Sequence, residues 1–353
     1  MSLIRLPRPI GRHAVGTIAA IRAAYGEAVT IWYPAEHGVR GPRAPYRGLE
    51  RSGSHRARLL RALIRTNAAV GVPAARGQHP LLLYVPSWGG QRGENTMLAE
   101  YLASSGFVVA ALDDSQPGGP PDFSSAAALT DTQRRADEKV LVAAARSSQV
   151  LTELLESSSM LNAAFALNID RERVGIFGFS FGGAVAAETA RRDARIRAAA
   201  NLDGWLFADA AAHGVPKPFL IIGTGAPERA EQSQRPGSAA PPSLEQQFDA
   251  QNERQIVAGF DRCGGYFVSI DGTRHASFCD TALLPSLRRS PAAGPIGGKR
   301  ARHIVSTYLL QFFEQYVQGR TTPLFAPHDA SSHVRHTPVD PAIRRRCWHS
   351  PRA

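Results

Sequence analysis

Apolar residues in this chain gather in short runs rich in Val, Ile and Leu. Between the runs lie longer stretches where apolar residues recur every three or four positions, the signature of amphipathic helices. The runs predict strands over 28–33, 81–86, 107–112, 174–179, 196–202, 219–223 and 266–270. The intervening pattern predicts helices over 95–104, 132–156, 182–192, 244–261 and 301–318. Such alternation builds a mostly parallel sheet with helices on both faces. The first strand precedes any crossover helix and is expected at the sheet edge, antiparallel. Stretches near 41–54, 115–129 and 224–243 are polar and rich in Arg, or in Pro, Gly and Ser, and read as loop insertions. No repeat or internal boundary is visible. The chain therefore reads as one α/β domain over 1–327, followed by a basic tail over 328–353 with few core-forming residues.

Composition adds limits. With 353 residues, 43% of them hydrophobic, the chain can bury a large core. The formal net charge is +11 and arginine carries it, since Lys139, Lys217 and Lys299 are the only lysines. Eight arginines fall within 40–65, and Arg344, Arg345 and Arg346 mark the tail. They are not interleaved with stacking aromatics, which argues against nucleic acid as a partner. A solvated basic face, or attraction to an anionic lipid surface, fits better. No apolar run approaches the roughly 18 residues of a membrane span. The N-terminal stretch lacks the apolar segment of a secretory signal, so the expected location is the cytoplasm. Cys263, Cys279 and Cys347 are too few and too scattered for a zinc site or disulfide framework. They leave either free thiols or a Cys263–Cys279 bridge. No metal or other cofactor is implied, and nothing sets the oligomeric state.

The chemistry enters at residues 174–183, VGIFGFSFGG. Gly178, Ser180 and Gly182 fit G-x-S-x-G, with a predicted strand running in and a predicted helix running out. In that setting the motif makes a tight turn that lifts the serine above the carboxyl edge of the sheet. A serine hydroxyl needs a base, and the base needs an orienting acid. In this arrangement the chain order is Ser, acid, His. His275 follows the last strong strand and would lie at the same edge. His303 falls inside a predicted helix, His213 at the opposite end, and His328, His333, His336 and His349 in the tail. The acid has two candidates. Asp203 ends the strand after the serine unit, beside aromatics able to hold it; Glu228 lies in a Pro- and Gln-rich loop. Asp203 is preferred, because a mobile acid holds no tautomer. Two backbone N–H groups are required for the developing oxyanion. Phe181 supplies one, and the loop LLLYVPSWGG the other, through Trp88 or, shifted by one residue, Gly89. Phe179, Trp205, Phe207 and Phe278 are candidate walls of an acyl pocket, or simple core residues.

These positions resemble the platelet-activating-factor acetylhydrolase family of α/β-hydrolases. NIDRERVGIFGFSFGG is similar to the family's I-D-R and G-H-S-F-G-G segments, NLDGWLF to its L-D-x-W-x-F, and HASFCD, with His275, Phe278 and Asp280, to its H-x-x-F-x-D. HPLLLYVPSWGG and HAVGT with VTIWYP resemble its oxyanion loop and its N-terminal strand pair. The likeness runs from about residue 15 to 319, with gaps. It implies an α/β-hydrolase fold, an acid at Asp203 rather than Glu228, and a Ca²⁺-independent serine hydrolase. The implied substrates are phospholipids with short or oxidised acyl groups, or simple carboxylic esters. Phe179 replaces a frequent histidine, Pro86-Ser87 replaces His-Gly, and Ala208 replaces proline; all three adjoin the pocket, so they bear on substrate identity. A cutinase- or polyester-hydrolase-like esterase, an acyltransferase with the same triad, and an inactive binding module are the alternatives.

Overall fold

The computed structural model describes residues 3–22, 28–48, 55–114, 119, 121–225, 241–284, 294–323, 334–337 and 348. Glu228, Cys347, His328, His333 and His349 lie outside them, as do residues 115–118 and 120 of the 115–129 stretch and most of the 224–243 stretch. The strands are β1 (Ile4–Arg5), β2 (Ala14–Arg22), β3 (Ala28–Ala35), β4 (Arg43–Pro45), β5 (Ile64–Val70), β6 (Gln78–Val85), β7 (Val108–Ala111), β8 (Asn168–Phe179), β9 (Ile196–Leu202), β10 (Phe219–Thr224), β11 (Tyr266–Ile270) and β12 (Val334–Thr337). The helices are α1 (His55–Leu63), α2 (Thr96–Ser104), α3 (Ala126–Glu156), α4 (Ser158–Phe165), α5 (Phe181–Arg192), α6 (Ala208–His213), α7 (Leu244–Cys263) and α8 (Gly298–Tyr316).

One sheet takes the order β1-β5-β2-β3-β7-β6-β8-β9-β10-β11-β12, with β4 beside β5. From β7 to β11 every neighbour is parallel. Most of their residues are buried and each carries a short apolar run, which is why the sequence shows them plainly. Alternation along β6 separates two cores. Leu81, Leu83 and Val85 join the cluster under α3, α5, α6 and α7. Leu82 and Tyr84 join the cluster under α2 and α8.

The N-terminal region departs from the sequence expectation. β3 is antiparallel to both neighbours, but it is not the edge: β2, β5, β1 and β4 extend the sheet beyond it. β1 and β4 are two and three residues long and β5 is partly exposed, so their weak periodicity hides them. Residues 126–129 belong to α3 rather than to a loop, because the Ser125 side chain caps Ala128 and starts the helix there. Within the expected tail, β12 pairs antiparallel with β11, and Trp348 packs on Tyr266 and Tyr316. Cys263 and Cys279 are buried free thiols, so no bridge joins them. No helix among the described residues is long and apolar enough to cross a membrane.

Candidate active site

The parallel strands β6 to β11 end at one edge, and the chemistry-bearing residues sit on the turns that leave them. β8 runs straight into Ser180, and α5 begins at the next residue. Ser180 has φ +56° and ψ −124°, a region that L-residues rarely occupy. Its N–H donates to the Leu202 carbonyl at 2.8 Å, which ties the turn to the end of β9. The flanking glycines are required by contact. A Cβ on Gly178 would lie 2.0 Å from the Gly182 carbonyl oxygen, and one on Gly182 would lie 2.1 Å from the Val85 oxygen.

Asp203 follows β9 and also has a left-handed φ, +54°. The buried Asn201 side chain holds this turn, accepting from Gly204 N–H at 2.8 Å and donating to its carbonyl at 2.9 Å. Asp203 Oδ1 accepts the Thr224 N–H at 2.8 Å, and Oδ2 lies 3.3 Å from the Thr224 hydroxyl. His275 opens a 3₁₀ turn, His275–Phe278, after β11. Its Nδ1 lies 2.8 Å from Asp203 Oδ2 and its Nε2 lies 3.0 Å from Ser180 Oγ. The structure thus brings Ser180, His275 and Asp203 into one hydrogen-bonded row. The Phe179 ring stacks on the imidazole, with centroids 4.8 Å apart.

Burial lowers the His275 pKa, but the hydrogen bond and charge of Asp203, helped by the charge of Glu94, outweigh it and leave the pKa raised. Glu94 is half-buried, and desolvation pushes its own pKa up against the pull of the Ser87 and Tyr84 hydrogen bonds. It accepts from Ser87 N–H at 2.9 Å and from the Ser87 hydroxyl at 2.6 Å.

The 86–92 loop after β6 approaches the serine from the other side. Most of its amides are occupied. Ser87 N–H goes to Glu94, Gly89 N–H to Asp114 Oδ2 at 2.6 Å, Gly90 N–H to the Ser87 carbonyl at 2.7 Å and Arg92 N–H to Asp113 at 2.7 Å. Pro86 has no N–H. Among the described residues, the Trp88 N–H takes no acceptor, whereas Gly89's is turned away to Asp114. The Trp88 and Phe181 rings touch, with centroids 4.7 Å apart.

The remaining aromatics divide. Phe207 packs against Phe181 at 6.2 Å and near Trp205 at 6.5 Å, and Trp205 Nε1 donates to Asp249 at 2.7 Å. Phe179 and Phe207 are also buried, with about 4% of their surface exposed, whereas Phe278 has none exposed and packs in the cluster under α2 and α8 as a core residue. Its place beside His275 in sequence misleads because the 3₁₀ turn points it inward. His303 and His213 are exposed, away from the row. Sequence reasoning does not single out Glu94, Asp114, Asn201 or Lys139. The available signals are an Asp-Asp pair ending a strand and one of only three lysines in an arginine-rich chain.

A family profile described as platelet-activating factor acetylhydrolase, isoform II, matches residues 140–318, about half of the chain, including Ser180, Asp203 and His275. Platelet-activating factor acetylhydrolase from Cavia porcellus is 24% identical over 155 residues, 42% of this chain and 31% of that protein. The one from Bos taurus is 28% identical over 121 residues, 34% of this chain and 23% of that protein. The matches therefore span under a third of either relative's length. A ferulic acid esterase from Streptomyces cinnamoneus is similar in structure, with a TM-score of 0.70 at 25% identity, covering 95% of this chain and 99% of that one. The fold is the α/β-hydrolase fold shared with that esterase.

Proposed function

This chain belongs to the platelet-activating factor acetylhydrolase, isoform II, family, and from that premise we propose that it hydrolyses carboxylic esters through an acyl-enzyme on Ser180. The observation that carries the proposal is the Ser180–His275–Asp203 row at 3.0 and 2.8 Å, built on a strained strand-to-helix turn. His275 Nε2 accepts the hydroxyl proton as Ser180 Oγ attacks the carbonyl carbon. Asp203 holds the Nδ1 proton, fixes the tautomer and stabilises the imidazolium. The N–H groups of Trp88 and Phe181 take the oxyanion. Gly89 does not serve, because its N–H is committed to Asp114. Collapse of the tetrahedral intermediate expels the alcohol, protonated by His275, and leaves the acyl group on Ser180. Water, deprotonated by the same imidazole, then releases the acid.

Short or oxidised acyl esters, including phospholipid acetyl esters, are the proposed substrates; the family and the bulk of Trp88 and Phe181 at the donor positions support this. A second reading, esters of aromatic acids, draws support from the row of rings Trp88, Phe181, Phe207 and Trp205, and from the ferulic acid esterase of similar fold. The test measures turnover of p-nitrophenyl acetate, butyrate and decanoate, an acetyl phospholipid and methyl ferulate by wild type and Ser180→Ala. Wild-type hydrolysis that Ser180→Ala lacks is expected, with acetate and butyrate preferred. Equal rates in the two proteins would remove Ser180 from the chemistry, and preference for methyl ferulate would select the aromatic reading.

A further inference from the structure

Lys139 and Asp114 are each about 6% exposed and form an ion pair at 2.7 Å, beside but outside the Ser180–His275–Asp203 row. Lys139 comes from the middle of α3, and Asp114 from the turn after β7. A pair buried this deeply is a poor source of stability, since the cost of desolvating two charges can exceed their attraction. Its connections suggest another use. The same Asp114 oxygen that meets Lys139 accepts the Gly89 N–H at 2.6 Å. The Lys139 ammonium lies 4.8 Å from the centre of the Trp88 ring and 5.4 Å from that of Phe181. One ammonium therefore lies over the side-chain rings of both residues proposed as oxyanion donors, within the range of cation–π attraction.

The peptide joining Ser87 to Trp88 carries the loop's donor N–H. It is pinned on both sides: Glu94 holds the N–H before it and Asp114 the N–H after it. Gly89 adopts φ +65°, which turns its N–H to Asp114 and leaves Trp88's unengaged. Through Asp114, Lys139 fixes the loop backbone; through the two rings, it joins the loop to the start of α5.

We propose that the buried Lys139–Asp114 pair positions the oxyanion hole by locking the Trp88 and Phe181 amides relative to each other. Neither residue touches substrate; both act through the donors. The proposal rests on the reading of Ser180 as nucleophile and of those amides as donors. Donor placement matters because the hole stabilises charge that exists only in the transition state.

The test compares wild type with Asp114→Asn, Lys139→Met, the double variant, Lys139→Arg and Ser180→Ala. The readings are kcat and KM for p-nitrophenyl acetate, the rate of inactivation by diethyl p-nitrophenyl phosphate (whose phosphoryl oxygen occupies the oxyanion position), and Tm. The double variant is neutral and similar in shape, so it should fold even where a single variant leaves one buried charge unpaired. In it, kcat and the inactivation rate should fall together by about tenfold to a hundredfold, short of the ~10²–10³ lost with a whole donor. KM should stay within about threefold, the sign of an interaction made in the transition state. Lys139→Arg keeps the charge and should retain most of the rate. A double variant with wild-type Tm and wild-type kcat would reduce the pair to a structural contact and overturn the proposal. So would a loss carried by KM alone. An active Ser180→Ala would instead overturn the underlying reading, whatever the pair does.

Discussion

Asp203→Asn is the most exacting perturbation of the row, because the structure dictates how the new amide must sit. The Thr224 N–H donates to Asp203 Oδ1 at 2.8 Å, so an asparagine there must place its carbonyl oxygen at that position. Its NH₂ group then faces His275 Nδ1, 2.8 Å from the present Oδ2. The Thr224 hydroxyl, now 3.3 Å from Oδ2, can rotate to accept. Nδ1 must become an acceptor, which moves the ring proton to Nε2. That nitrogen lies 3.0 Å from Ser180 Oγ, and once protonated it can no longer take the hydroxyl proton. In triads of this type the same change lowers kcat by about 10⁴. At ~1.36 kcal/mol per tenfold, that is about 5.4 kcal/mol of barrier. The fold should survive, since asparagine tolerates the left-handed φ of +54° at this position. Steady-state kinetics with p-nitrophenyl acetate, with Tm as the control for folding, checks this outcome. A properly folded Asp203→Asn that loses less than about tenfold in kcat would refute the tautomer argument, against the ~10⁴ expected.

The pH profile and the close-packed turn supply the other predictions. The base must be neutral to act, and Asp203 and Glu94 hold the His275 pKa above its ordinary 6.5, so kcat/KM should fall with acid through a midpoint above 6.5. Glu94→Gln removes one of the charges that raise it, so the acidic limb should move to lower pH; a pH–rate series that leaves the limb in place would contradict this. Gly182→Ala puts a Cβ 2.1 Å from the Val85 oxygen and 2.4 Å from the Pro86 oxygen, both backbone. Glycine to alanine in a helix normally stabilises by about 1 kcal/mol. Here the sign should reverse, with about 2–3 kcal/mol lost to overpacking, a lower Tm by calorimetry and little activity. A raised Tm would mean that β6 can yield at that point.

Legibility followed burial. β6, β8, β9, β10 and β11 are visible because each carries a central run of mostly apolar, largely buried residues. β5 and β12 are hidden because a half-exposed or four-residue strand leaves little period to detect. The Gly-Ser-Gly turn and its Ser, Asp, His order are local or ordinal features, so Ser180, Asp203 and His275 can be picked out from the chain alone. Phe278 shows the limit of adjacency: three residues after His275, it turns into the core.

The amino-acid sequence by itself determined the alternation of strand and helix, the strained turn at Ser180 and the order of the three polar residues that meet. Each depends on short-range properties: side-chain period, the absence of a Cβ, and a hydroxyl placed between two glycines. The tertiary structure alone decided that the Gly89 N–H of the 86–92 loop is taken by a carboxylate while the Trp88 N–H is not. That outcome depends on carboxylates at Glu94, Asp113 and Asp114 arriving from two different turns, and on a lysine from the middle of a helix. Contacts are assigned by distance in space, and residues 25 positions apart, as Gly89 with Asp114, or 51 apart, as Trp88 with Lys139, carry no mark of each other in sequence.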